Sequence, residues 1–508
     1  MPLKTQLYDI LASLGGFGPI AGLLLAFCGL LLAELMLVRG LGAARARGWL
    51  SALTLVAVLG AGTWAVLLPT RGFLFMHLLF LDNQAVFMQV VVALGAALVV
   101  VYESSASFAP GLNRGQKMLK TLPAEWFPLL LAVVAGLFLL AEAVNLLAIY
   151  LALELVSIGS YLLTALPKTR RSSEGGIKYL LFGAISSAIM LYGMSLLYGL
   201  TGTLDLTADA FGQELARQDT LVVTIAGLLT LAGLFFKLSL VPFHVWTPDA
   251  YDAAPLPVAA FFSVAPKAVA LLVIMRIVTA LPETTGPNPL QVPLAVLALA
   301  SILLGNLAAL WQTDAKRLLA YSTIAHAGFL LVGVVSMTEA GFETALFYAG
   351  TYLIINLAAF FLVDRLALRN GGSLTITDFA GLGTQHPVLS VALTVAMVAL
   401  VGLPPTVGFT AKLLVFSTLY EAATSDAGSS SGWLLALFGI GLLNAVISLA
   451  YYLKIPFLLF FRLRPADQST PLPTLPMRFA DWLAVALAVL TVLLFLKPDW
   501  LLSWIAGF

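Results

Sequence analysis

The stretch from Leu221 to Trp246, LVVTIAGLLTLAGLFFKLSLVPFHVW, is an almost wholly apolar run that carries one charged residue, Lys237. A helix needs about 20 apolar residues to cross a bilayer core, so this run predicts a membrane-spanning helix. Pro242 follows Lys237 closely and predicts a break, which leaves backbone polar groups without helical partners. A lysine beside such a break is tolerated only where it faces the protein interior or a water-filled path. The stretch therefore predicts a functional site within a membrane helix.

A second stretch, from His386 to Tyr420, has the same features in the other half of the chain. It is too long for one span, is interrupted at Leu403-Pro404-Pro405 and carries a single lysine, Lys412. Two broken, lysine-bearing helices in separate halves of a membrane protein predict an ion path between two inverted repeats.

Each of these lysines is preceded at a similar distance by a titratable residue. Glu154 lies 237 − 154 = 83 residues before Lys237, and His326 lies 412 − 326 = 86 residues before Lys412. The spacing predicts that each half of the chain pairs a titratable group with a lysine.

The composition excludes a soluble globule. Of the 508 residues 61% are hydrophobic and 10% charged, and the mean hydropathy is +1.01, so a water-exposed surface would have to be apolar. The single cysteine, Cys28, excludes a disulfide framework, a thiolate metal site and an iron–sulfur cluster within the chain. No glycine-rich phosphate loop is present, and a net charge of +1 gives no indication of nucleic acid as a partner. We expect no cofactor or metal in this chain.

The hydropathy pattern predicts an all-α polytopic membrane protein of about 14 transmembrane helices, with two inverted repeats that each contain a broken helix. The expected domains are three N-terminal helices in 1–110, a first repeat in 111–284, a second repeat in 285–465 and a last helix in 466–508. The expected spans are 17–38, 49–68, 82–102, 126–142, 144–166, 176–200, 221–246, 254–280, 291–311, 317–336, 342–363, 388–420, 432–461 and 479–497.

Basic residues predict the orientation of these spans. The loops that follow odd-numbered spans are rich in lysine and arginine and include Arg365 and Arg369. The loop after the seventh span is an exception, with Asp249, Asp252 and no cation, which indicates a connector folded back into the protein. The opposite side carries only Lys4, Arg71, Arg217 and Lys497. Because cytoplasmic loops are enriched in cations, both termini are expected on the periplasmic side of a bacterial inner membrane.

Five cations lie within or at the edge of the spans: Lys237, Lys267, Arg276, Lys412 and Lys454. Each costs at least about 2.5–3.5 kcal/mol at a helix centre, so each needs a reason to be there. Arg276 and Lys454 lie near span ends, which favours an interfacial position or a neighbouring partner. Lys267 directly follows Pro266 and lies a short distance after Lys237 in the chain. The two lysines are expected to share one cavity.

Glu154 is the expected partner of Lys237, because a carboxylate within an apolar run must be protonated or take a cationic partner. Burial disfavours the ammonium form of a lysine and a nearby carboxylate favours it, so a change in their separation could load or release a proton. The alternative is a static ion pair. Glu142 lies at a span end, where an interfacial role is expected.

Several motifs surround these residues, and together they resemble one family. The motifs are LALEL at 151–155, FKLSLVPFHVWTPD at 236–249, APLPV at 254–258, Pro266-Lys267, YSTIAHAG at 321–328, and GLPP at 402–405 followed by Gly408-Phe409. They resemble the antiporter-like proton-pumping subunits of NADH:quinone oxidoreductase, respiratory complex I. The VWTPD version at 245–249 is most similar to the N members of this family.

The resemblance implies a proton relay through five residues. Glu154 and Lys237 would form the pair of the fifth and seventh spans, Lys267 would connect the halves, His326 would lie on the central axis, and Lys412 would lead to the far side. It leaves open which group acts on Lys412.

The resemblance also implies how the work is divided among subunits. NADH, FMN, iron–sulfur clusters and quinone would be bound by other subunits. The partners would be other membrane subunits of complex I, the lipid bilayer and protons. Two alternatives remain open at this point: a subunit of an Mrp-type cation/proton antiporter or another antiporter-like complex I subunit, and a scaffold with inert buried ion pairs.

The orientation is directly testable. Because the even number of spans places both ends on one side, tags at either terminus should be accessible only from the periplasm. Impermeant labelling of intact and permeabilised cells measures this, and cytoplasmic labelling of either terminus would contradict the span count.

Overall fold

The structure, a computed structural model, describes residues 3–41, 43–106, 122–281, 288–425, 430–463 and 476–506. The chain forms two compact units. The first lies within Met1–Leu238 and Ala265–Leu290, and the second within Ser239–Val264 and Gln291–Gly507.

The fold class predicted from the sequence is confirmed. Within the described residues, 12 helices are long and apolar enough to cross a membrane, and two shorter apolar helices, Trp126–Glu142 and Pro387–Val401, complete the predicted order. Helices suit this environment because lipid offers no hydrogen-bond partners, so each segment must satisfy its own backbone.

The first unit contains helices α1 to α9, a hairpin and α12. Polar residues start several of these helices; Asn145, for example, accepts a hydrogen bond from the Leu147 amide at 3.0 Å. Its elements are α1 Leu3–Gly16, α2 Gly18–Leu41, α3 Ala43–Leu67, β1 Gly72–Leu74, β2 Leu79–Leu81, α4 Asn83–Ala106, α5 Trp126–Glu142, α6 Leu146–Ala165, α7 Arg170–Thr201, α8 Asp209–Ala216, α9 Thr220–Leu238 and α12 Ala265–Ala280.

The second unit contains the remaining helices, which include the short pieces on either side of the breaks. Its elements are α10 Trp246–Ala253, α11 Leu256–Phe262, α13 Gln291–Leu310, α14 Ala315–Val335, α15 Glu339–Arg369, a 3-10 turn Ile376–Phe379, α16 Leu382–Gln385, α17 Pro387–Val401, α18 Val407–Ser425, α19 Ser431–Tyr452, α20 Lys454–Phe461, α21 Phe479–Leu496 and α22 Asp499–Ala506.

Both predicted helix breaks are present. Helix α9 ends at Leu238 and α17 ends at Val401, each before the expected prolines. The expected eighth span is also interrupted, because α11 ends at Phe262 and α12 begins at Ala265. Hydropathy did not predict this third break, since the residues across it are as apolar as those of a continuous helix.

The antiparallel hairpin of β1 and β2 was not predicted either. It pairs Gly72 with Leu81 and Leu74 with Leu79. Three-residue strands are too short for an alternating pattern to stand out against the apolar background.

A buried cluster of ion pairs joins helix α21 to helix α15. The Asp481 carboxylate is fully buried and accepts from Arg365 Nε at 2.7 Å and from both terminal nitrogens of Arg369 at 2.9 Å. It also accepts from the Arg478 amide at 2.8 Å, at the positive end of α21. The expectation that Arg365 and Arg369 lie in a connecting loop was therefore wrong: helix α15 extends to Arg369, and both residues are buried.

We expect Asp481→Asn to destabilise the protein by about 3–5 kcal/mol, because it leaves two buried guanidinium groups without the carboxylate they share. The exposed Asp499 supplies a matched control, and Asp499→Asn should change stability by less than about 0.5 kcal/mol. Thermal unfolding of the purified protein in detergent measures both, and equal midpoints for the two variants would contradict a structural role for the cluster.

Candidate functional site

Lys237 lies in the last turn of α9 and is 1% exposed. Its ammonium donates to Ser157 Oγ at 3.1 Å and to Tyr179 OH at 3.4 Å. The Tyr179 ring also faces the ammonium, with its centroid 5.4 Å from Nζ. The lysine is therefore held by two hydroxyl groups, each of which can both donate and accept a proton.

Glu154 lies on the same face of α6 as Ser157, because residues three apart on a helix are neighbours. Among the described residues Glu154 forms no direct ion pair, and its Oε1 is buried without a hydrogen-bond partner. It still interacts electrostatically with Lys237. Within the described residues the two predicted partners therefore form no salt bridge, and the Lys237 ammonium contacts Ser157, one helical turn from Glu154, instead.

Lys267 lies near the start of α12 and is fully buried. Helix α12 packs against α9, which carries Lys237, so both lysines belong to neighbouring helices of the first unit. The expectation that they share a cavity stays a prediction.

His326 lies within α14 in the second unit, surrounded by tyrosines. Its Nδ1 is 2.8 Å from Tyr348 OH and its Nε2 is 3.0 Å from Tyr452 OH. The Tyr352 ring stacks on the imidazole at a centroid distance of 4.7 Å. A neutral imidazole has one donor and one acceptor nitrogen, so one of the two bonded tyrosines donates to it while the other accepts.

Lys412 lies in α18 and reaches back across the helix break. Its ammonium donates to the Val401 carbonyl at 2.7 Å and to the Leu400 carbonyl at 3.2 Å, and it lies 4.6 Å from the Phe329 ring centroid. The last carbonyls of a helix have no helical partner and carry partial negative charge, so they suit a cation. The end of α17 therefore binds the Lys412 ammonium.

Gly402 makes this contact possible. Its φ is +83°, a left-handed conformation that ends α17, and a Cβ at this position would lie 2.8 Å from Lys412 Cδ. The break and the lysine side chain thus require glycine here for two separate reasons.

The two lysine sites are not equivalent, although the sequence suggested one repeated arrangement. Lys237 precedes its break and is bound by hydroxyl groups from neighbouring helices. Lys412 follows its break and is bound by the carbonyls that the break leaves free. Carbonyl oxygens only accept hydrogen bonds, so they stabilise a charged ammonium, whereas hydroxyl groups can interact with either form of a lysine.

The connector after α9 is held inside the second unit, as its unusual charges indicated. Lys316 donates to the Asp252 carbonyl at 3.0 Å, at the end of α10. Arg317 pairs with Asp249 at 3.3 Å and with Asp252 at 3.6 Å.

Sequence reasoning missed the hydroxyl groups around the predicted charges, namely Ser157, Tyr179, Tyr348 and Tyr452. Their signal in the sequence is weak, because a tyrosine in an apolar helix usually indicates packing rather than proton transfer. The two charges outside the site are accounted for as expected: Arg276 pairs with Asp82 at 2.8 Å, and Lys454 donates to the Gln312 carbonyl at 3.3 Å.

Residues 143–448 match the family described as "NADH:quinone oxidoreductase/Mrp antiporter, TM". Among relatives, NADH-quinone oxidoreductase subunit N from Chlorobium chlorochromatii (strain CaD3) is 38% identical over 500 residues, which cover 96% of this chain and 93% of the relative. NADH-quinone oxidoreductase subunit N 2 from Sorangium cellulosum (strain So ce56) is 40% identical over 431 residues, or 83% of this chain and 82% of that one.

Two solved structures have a similar fold. A chain of respiratory complex I from Thermus thermophilus with bound aureothin matches with a TM-score of 0.73 and 30% identity, covering 96% of this chain and 98% of that chain. A chain of the Mrp complex from Dietzia sp. DQ12-45-1b matches with a TM-score of 0.74 and 23% identity, covering 97% and 96%. At that identity the second match concerns the fold alone.

We expect Gly402→Ala to destabilise the protein by about 1–3 kcal/mol, because alanine is strained at this positive φ and its methyl group meets the Lys412 side chain. Gly439 in α19 is a matched control, since a Cβ there would meet nothing within 4 Å. Gly439→Ala should keep or raise the unfolding temperature in detergent. A Gly402→Ala variant as stable as its control would contradict the packing of Lys412 against the break.

Proposed function

The chain belongs to the NADH:quinone oxidoreductase/Mrp antiporter family, and on that premise we propose that it is a proton-translocating membrane subunit of an NADH-quinone oxidoreductase. The observation that carries the proposal is the Lys237 site: a buried ammonium bound by two hydroxyl groups, of which Ser157 lies one helical turn from the half-buried Glu154. An ammonium in this setting can give up and regain a proton when the charge beside it changes.

In the proposed mechanism Glu154 and Lys237 load and release protons in the first unit. When the carboxylate is ionised it favours the ammonium, and when it is neutralised the buried lysine tends to release its proton. Ser157 and Tyr179 are in place to pass that proton on, because both hydroxyl groups contact Nζ directly and each can accept a proton while giving up its own. Lys267 would take the connecting role that the family implies.

His326 and Lys412 would continue the relay in the second unit. With a tyrosine hydroxyl at each ring nitrogen, the imidazole can accept a proton on one side and release one on the other. Lys412 would hold the proton as an ammonium at the end of α17 until it leaves. We also propose that 111–284 and 285–465 are the two inverted repeats, and that both termini lie in the periplasm of a bacterial inner membrane.

Redox chemistry would belong to other subunits. NADH, FMN, iron–sulfur clusters and quinone would be bound there, and this chain would contact further membrane subunits and lipid. By itself it should therefore show no NADH-dependent or quinone-dependent activity. Intrinsic quinone reduction by the isolated chain would contradict the proposal.

A cation/proton antiporter subunit is the second candidate, because the family description includes both classes. The relatives named NADH-quinone oxidoreductase subunit N favour the first candidate, at 38–40% identity over most of the chain. Purification of the native assembly separates the two: co-purifying subunits with NADH-quinone reductase activity support the first, and an assembly that only exchanges cations for protons supports the second.

The relay is tested by Lys237→Arg. Arginine keeps the positive charge but does not deprotonate in a protein, so proton pumping coupled to quinone reduction should fall by roughly tenfold or more. The measurement is pumping and turnover of the assembled complex in vesicles.

The matched control is Lys178→Arg, since Lys178 is a partly exposed residue paired with Glu174 at 2.9 Å. It should retain wild-type pumping. Full pumping and turnover in Lys237→Arg would instead identify Lys237 as one half of a static electrostatic interaction.

A further inference from the structure

Glu142 is a fully buried carboxyl group outside the proposed relay. It is the last residue of α5, and its side chain is 0% exposed. Neighbouring helices cover the end of α5 and enclose the carboxyl group in protein; the interfacial role expected for this span end stays a prediction. Glu154 lies eight residues beyond the start of α6, or about 12 Å along the helix, so the two carboxyl groups occupy different depths.

The contacts of Glu142 satisfy only part of its hydrogen-bonding capacity. Gln89 Nε2 donates to Glu142 Oε1 at 2.7 Å. Glu142 Oε2 and Gln89 Oε1 are both buried and, within the described residues, neither has a hydrogen-bond partner. Two buried acceptor oxygens without donors call for a bound proton, because a buried acceptor left without a hydrogen bond destabilises the protein.

No cation contacts this carboxyl group directly among the described residues. The nearest one, Arg276 on α12, is bonded elsewhere: Nη2 to Asp82 Oδ2 at 2.8 Å and Nη1 to the Ala143 carbonyl at 3.3 Å. An ionised carboxylate buried without a paired cation costs several kcal/mol, and a bound proton removes that cost.

The charged groups that act on Glu142 are few. Helix α5 packs against α2, α3, α4, α6, α12 and β2. Among the described residues of these elements and their ends, the charges that act on Glu142 are Arg276 and Asp82. Glu34 on α2 interacts instead with Glu125, at the other end of α5.

We propose that Glu142 is a proton-binding site, and that Arg276, shared between Asp82 and Glu142, controls whether the proton is held. When a proton binds, it joins the carboxylate and removes its charge. When it leaves, the guanidinium supplies the compensating positive charge. The Asp82 and Arg276 side chains are 23% and 10% exposed, and the proposed route for proton exchange with solvent runs past them.

Infrared difference spectroscopy of the purified complex that contains the chain tests the site without turnover, so its result is independent of whether the pump proposal holds. The wild-type protein should show a carboxylic-acid C=O band that shifts in D2O and titrates with pH. Glu142→Gln should abolish that band.

Glu103→Gln is the matched control, because Glu103 is also buried but is paired directly with Arg47 at 3.0 Å. It should leave the acid band unchanged. An unaltered band in Glu142→Gln, or a band that responds to Na⁺ at constant pH, would overturn the proposal.

Two further variants test the control by Arg276, with opposite expected signs. Asp82→Asn removes the competing carboxylate and frees the guanidinium to compensate ionised Glu142, so the band should disappear at a pH lower by about one unit or more. Arg276→Gln removes the compensating charge, so the band should persist to higher pH. Shifts in the same direction for both, or none in Asp82→Asn, would overturn the shared role of Arg276.

Discussion

The structure depends on one constraint: where a helix breaks within an apolar environment, the groups that the break exposes must be satisfied by the protein itself. At the end of α17 this is done by Lys412, whose ammonium bonds to the Val401 and Leu400 carbonyls. The charge and the break thus stabilise each other. Without the other, the ammonium or the free carbonyls would destabilise the protein, because an unpaired charge or polar group in an apolar environment raises the free energy of the folded state.

The same constraint is met differently at the end of α9. Lys237 does not cover the carbonyls of its own break but is held by Ser157 and Tyr179 from neighbouring helices. Hydroxyl partners remain satisfied whether the lysine is charged or neutral, whereas carbonyl partners favour the charged form. The first site is therefore better suited to changes of protonation, and the second to holding a positive charge.

The buried carboxyl groups differ in how completely they are paired with cations and hydrogen-bond donors. Asp481 is compensated by two arginines and a helix terminus, and Glu103 by one arginine. Glu142 has one amide donor and no direct cation among the described residues. The more completely a carboxylate is paired, the more firmly its charge is held, so the least compensated groups are those able to exchange protons.

The sequence by itself determined the fold class, the two predicted breaks and the positions of the buried cations. It could do so because bilayer thickness sets helix length, proline interrupts a helix wherever it occurs, and a charge within an apolar run is visible without knowledge of its neighbours. The tertiary structure decided which groups contact the buried charged residues. The bond from Lys412 to the Val401 carbonyl spans only 11 residues and depends on how the chain folds back at the break. That Lys237 bonds to hydroxyl groups, that Arg365 and Arg369 are buried, and that Glu142 has no direct cation among the described residues depend on residues far apart in the chain. Hydropathy and local motifs carry no information about such contacts, because they arise only when helices pack side by side.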